Sequence, residues 1–146
     1  MGFWDSLTKG KADAMAAVKR LKDNDIAAAA MAAAAAVAMA DGKLDPEEKD
    51  KVAGHITRSE YLKQYEQSKL IAMFEEHVSN IKFSSRTGVS GALKVIGKLA
   101  GSPEKAEAAL LIAISIADEG GIGDEEKVVL GKIADALNLS LSNYNL

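Results

Sequence analysis

Two runs of small and apolar residues end in the same acidic cassette, and that duplication constrains the fold more than any other feature of the chain. AAAAAVAMAD at 32–41 opens into ADGKLDPEEK at 40–49, and LLIAISIAD at 110–118 opens into ADEGGIGDEEK at 117–127. With Glu119 set aside, six of ten positions agree: Ala40/Ala117, Asp41/Asp118, Gly42/Gly120, Glu47/Glu125, Glu48/Glu126 and Lys49/Lys127. Each cassette therefore stands where an apolar helix turns into a polar one. Both place carboxylates at that corner.

The rest of the chain reads as helix. Pro46 and Pro103 are the only prolines. Each follows a capping type of residue, Asp45 or Ser102, and suits the first position of a helix. Alternating β-branched runs are absent. The expected helices cover residues 4–21, 26–40, 46–57, a short one at 59–65, 68–83, 91–99, 103–117 and 124–137. Asp25 is placed to cap the second, Asn138 to end the last, and a final turn starts near Ser140. Residues 84–90 read as a loop between halves. In 68–83, Leu70, Ile71, Phe74, Val78 and Ile81 recur at three and four residues, a core-facing stripe. The alanines of 27–38 favour helix by propensity and let other helices approach closely. The expectation is an all-α, compact single domain spanning residues 1–146, of about seven to nine helices in two pseudo-repeated units.

Composition removes several function classes. The chain has no cysteine, so thiolate metal sites and thiol redox chemistry are excluded. A net charge of −3 over 146 residues speaks against a general nucleic-acid binder. Residues 1–22 nevertheless carry net +3, with Phe3, Trp4, Leu7, Met15, Val18 and Leu21 near one helical face. This basic amphipathic segment can fold back on the acidic body, or meet an anionic membrane or a partner helix. No leader-type apolar region is read near residue 1, and the apolar run at 26–40 is too short to span a bilayer.

Two readings of the cassette stand side by side. In the structural one, Asp45 and Glu48 make a capping box, Gly42 takes a left-handed turn position, and Glu47 and Glu48 complement the helix dipole. Gly123 replaces Asp45 in the second copy and weakens that cap. In the functional one, the carboxylates hold a hard cation such as Ca²⁺, Mg²⁺ or Mn²⁺. Asp41-Gly42-x-x-Asp45-x-x-Glu48 offers two or three ligands per turn, and two turns together offer more. The candidate metal residues are Asp41, Asp45, Glu48, Asp118, Asp124 and Glu126. His55 lies two turns beyond Glu48, too far to be expected on the same ion, and His77 reads as a core-edge residue. No catalytic triad, phosphate loop or helical zinc motif is present.

The Phe3-Trp4-Asp5 opening, the ADG-x-x-x-x-EEK cassette ending at Lys49, Ser59-Glu60-x-Leu62-Lys63 and the second ADG-like cassette together resemble the tellurite-resistance protein TerB family of bacteria. The resemblance implies an all-α fold of two helical repeats and a cytoplasmic protein of a tellurium-resistance or stress-response system. It implies metal binding by acids of the repeated turns, here Asp41, Glu48, Asp118 and Glu126, flanked by Asp45, Glu47, Asp124 and Glu125. It further implies other tellurium-resistance proteins as partners, a membrane protein among them. Glu119 and the Gly120-Gly121 pair depart from the pattern and alter the second turn. The function expected is a non-enzymatic divalent-cation-binding module with no organic cofactor. The alternative is a metal-independent adaptor docking cytoplasmic or membrane-associated partners, with peripheral membrane contact through the N-terminal segment. A carboxylate hydrolase ranks last.

Overall fold

Asp23 begins the described chain and starts its central helix. Its carboxylate accepts the N–H groups of Asp25 and Ile26 at 2.9 and 3.2 Å, and capped in this way α1 runs Asn24–Ala38. The cap is thus Asp23 and not Asp25, which lies inside the first turn. The computed structural model describes residues 23–144 and Leu146, so the expected helix at 4–21 lies outside the described residues.

Within α1, every residue from Ala29 to Val37 is buried. Methyl groups on all faces make this possible, because they let neighbouring axes come close from several sides at once. α1 accordingly contacts each of the other five helices: α2 (Pro46–Arg58), α3 (Gln67–Phe83), α4 (Ser85–Gly97), α5 (Pro103–Glu119) and α6 (Asp124–Ala136). A 3-10 turn at Leu141–Asn143 closes the order. The described residues form no strand and hold six α-helices. No helix among them is long and apolar enough to cross a membrane.

Three further expectations change. Residues 59–65 form successive turns, with Leu62 N–H donating to Ser59 and Tyr65 N–H to Leu62, each at 3.2 Å, and no helix. That path buries Leu62 and brings the Tyr65 hydroxyl to Asp23, where it accepts the N–H at 2.9 Å and donates to the carbonyl at 3.0 Å. The expected loop at 84–90 is one residue long. Ser84 ends α3 and caps α4, which begins at Ser85 and carries Gly88 and Gly91 within it. Ser102 was expected to cap α5 with its hydroxyl, yet it makes no such bond.

The core is continuous and apolar. α5 is buried on nearly every face from Ala106 to Ile116, as its sequence suggested, and the α3 stripe contributes Leu70, Phe74, Val78 and Ile81. One relation positions the site. Lys105 at the start of α5 pairs with Asp23 at the start of α1, Nζ to Oδ2 at 2.9 Å. At the other ends, Val37 and Ala38 of α1 line a common cleft with Ile116 and Ala117 of α5. The two buried helices thus run in parallel and deliver both cassettes to one end of the molecule.

Candidate functional site

At that end the first corner is built from local hydrogen bonds. After α1 the chain turns through Gly42, whose φ of +81° is the left-handed region that glycine enters without a Cβ penalty. Asp41 stays in the turn, exposed, and its Oδ1 accepts the Lys43 N–H at 3.0 Å. Asp45 then caps α2 by accepting the Glu48 N–H at 2.8 Å, with Pro46 in the first turn. Lys49 is drawn away from the corner to Glu75 of α3, at 3.4 Å.

The second corner differs in a way the sequence alignment hides. Its left-handed glycine is Gly121, φ +82°, and not Gly120, which is the C-cap of α5. The additional Glu119 is accommodated by prolonging α5, so Asp118 lies inside the helix, whereas Asp41 lies beyond one. Gly123 has no side chain to offer α6, and the cap is one-sided: Glu126 Oε1 accepts the Gly123 N–H at 3.0 Å.

Between the corners lies a cleft of about 410 Å³. Asp41, Glu48, Lys51 and His55 line it from the first corner and α2, and Asp124, Glu125 and Glu126 from α6. Of the sequence-derived candidates, Asp41, Glu48, Asp124 and Glu126 therefore share one cavity. Asp45 and Asp118 are not among its walls. No three His, Asp or Glu side chains among the described residues gather into a ligand cage. The acids frame the mouth of the cleft, and its floor is apolar, with Val37, Leu44, Val52 and Ile116.

The electrostatics of the first corner follow from crowding. The Glu48 carboxyl is held above its ordinary range, first by the hydrogen bond it shares with the Asp45 carboxyl and then by the charge of Asp45. Asp45 is held below its range, chiefly by the backbone N–H of Glu48. Helix dipoles do not decide the field: α1 and α5 end here while α2 and α6 begin here, so their partial charges oppose. What remains is five lining carboxylates against Lys51.

Sequence reasoning set His55 aside, but the fold brings it to the cleft. It is half-buried, and its Cε1 would stand 3.9 Å from a Cβ on Gly120, so the ring reaches the end of α5. Burial lowers its pKa, Glu119 opposing and Arg58 and Lys51 reinforcing. The same imidazole borders a second cleft of about 390 Å³ with Arg58, Ser59, Tyr61 and Glu119. Its i+7 spacing from Glu48 was the available signal, since residues seven apart share a helix face.

The family model described as tellurite resistance protein TerB matches residues 27–146, a span that holds both cassettes and every wall of the cleft. The chain belongs to the TerB family. A tellurium resistance protein TerB from an Alcaligenes species is 30% identical over 118 residues, covering 78% of this chain and 97% of that protein. No solved structure matches the chain. The Phe3-Trp4-Asp5 opening, part of the sequence resemblance, falls before the matched TerB span.

Proposed function

We propose that this TerB-family chain is a non-enzymatic module that binds a divalent cation in the cleft between its two acidic corners, within a tellurite-resistance or related stress system. The observation that supports it is that Asp41, Glu48, Asp124, Glu125 and Glu126, from both corners, line one cavity. Hard cations take carboxylate and carbonyl oxygens, often completing their shell with water. An ion at the mouth would also offset the charge crowding of Glu48 against Asp45. Without cysteine the chain is a poor candidate to reduce or covalently trap tellurium itself.

On this reading the candidate ligands differ in weight by their place at the cleft. Asp41 and Asp124 line the cleft and are exposed, whereas Asp118 does not line it. Asp41→Asn combined with Asp124→Asn should weaken Ca²⁺ or Mn²⁺ binding, measured by calorimetric titration, with helicity near that of the parent. Asp118→Asn should bind as the parent does. The reverse order would move the site away from the cleft.

A further inference from the structure

The cleft between the corners has an apolar floor and an acidic rim, and the chain holds a segment of the opposite character. The floor is made by Val37, Leu44, Val52 and Ile116, and Asp41 and Glu125 stand exposed at the rim. Residues 1–22 lie outside the described part of the chain, and what they offer is read from their sequence: net +3, with Phe3, Trp4 and Leu7 followed by Lys9 and Lys11.

We propose that this basic segment docks its Phe3–Trp4 end into the cleft, the indole covering the floor and the following lysines meeting the rim. The reach is sufficient. Val37 and Ala38 lie 14 and 15 residues beyond Asp23, about 22 Å along α1 at the helical rise. Trp4 stands 19 residues before Asp23, which gives about 28 Å if helical and about 60 Å if extended. The cavity, about 410 Å³, is in the roughly 300–1,000 Å³ range that receives one ring system or a small ligand. Opposite charges of segment and rim steer the encounter and fix its direction. Docking stands whether or not the cleft also takes a cation. Where it does, segment and ion compete for the same carboxylates, and the segment becomes a built-in competitor.

Trp4 is the sole tryptophan, so its emission reports the site directly. The full chain is measured in chelator, with acrylamide as quencher. The expected result is emission to the blue of free tryptophan and protection from quenching. Both should be lost in Asp41→Lys/Glu125→Lys and in Val52→Lys, with far-UV dichroism confirming that each variant is folded. Exposed, fully quenched Trp4 in the parent overturns the proposal. So does a buried Trp4 indifferent to all three substitutions, which would place the segment elsewhere on the body. Emission that moves to the blue only on adding vesicles containing anionic lipid also overturns it and assigns the segment to a membrane. Because chelator is present throughout, failure of cation binding is read from a separate titration.

Discussion

Gly88 of α4 stands on the backbone of Ile81 in α3: a Cβ built on the glycine would lie 2.5 Å from the Ile81 Cα and 2.6 Å from its nitrogen. With only Ser84 between the helices, the chain reverses so sharply that the two backbones touch, and backbone atoms cannot swing aside as a side chain can. Gly88→Ala should cost about 1–3 kcal/mol, as overpacking of a tight contact does. Gly91→Ala, in the same helix with nothing within 4 Å, should instead be neutral or gain about 0.5–1 kcal/mol from the lost freedom of glycine. Urea midpoints at unchanged slope distinguish the two.

The start of α1 is tied to two distant segments through Asp23. Tyr65→Phe removes a hydroxyl that serves both the N–H and the carbonyl of that residue, and should cost about 1–2 kcal/mol. The Asp23 carboxyl is held below its ordinary range, first by its hydrogen bond to Lys105. A lowered carboxyl pKa gives stability that is present above the unfolded value of 3.8 and is lost as pH falls through the lower folded value. Lys105→Met should therefore lower the melting temperature at neutral pH, with the difference from the parent shrinking as pH falls below 4, so that the acid limb of its melting curve is flatter.

Both histidines titrate low, chiefly because each is partly buried. Below the unfolded value of 6.5 the unfolded chain takes up protons first, so stability falls as pH drops from 6.5 toward the folded values. Facing His55 are Glu119, which opposes the shift, and Arg58 and Lys51, which reinforce it. The melting temperature should decline between pH 7 and 5.5, and less steeply in a His55→Gln/His77→Gln chain. An equal slope in both would show that neither ring carries the effect.

Asn138 closes α6 from the left-handed region at φ 60°. The Asn138 N–H reaches the Asp135 carbonyl at 3.1 Å and the Leu139 N–H the Ala134 carbonyl at 2.8 Å, the paired bonds of a Schellman end. Asn138→Gly should be tolerated, while Asn138→Val should cost about 1–2 kcal/mol, because a β-branched side chain crowds the left-handed backbone and lacks the short polar group that lets asparagine enter it. Thermal melts of the two variants check the order.

What could be read from sequence was what depends on local chemistry. Alanine on every face of 27–38 announced a helix packed from several sides, and Asp45-Pro46 announced where α2 begins. Gly88 misled because glycine suggests a loop until the helix it must touch is known. Asp25 and Asp23 are both good caps by type, and the choice fell to Asp23, which Tyr65 and Lys105 hold from elsewhere in the chain. The corners show the same limit. Six identities align Asp41 with Asp118, but Glu119 lengthens α5 and leaves Asp118 in a helix while Asp41 faces the cleft. His55 joins the site because it shares a face of α2 with Glu48 and that face packs against the end of α5 at Gly120; the spacing showed the shared face, and only the fold shows what it meets.

The measurement closest to the central claim is the melting temperature of chelator-stripped protein against Ca²⁺, Mg²⁺ and Mn²⁺, run beside a calorimetric titration. An ion held by the folded cleft must stabilise the fold, by about 2.7 kcal/mol at a hundredfold excess over Kd, which for a chain of this size raises the melting temperature by several degrees. Saturable heat with that rise, diminished in Asp41→Asn/Asp124→Asn, is the predicted result. No heat and no shift at millimolar ion would contradict it and leave Asp45 and Glu126 as helix caps alone.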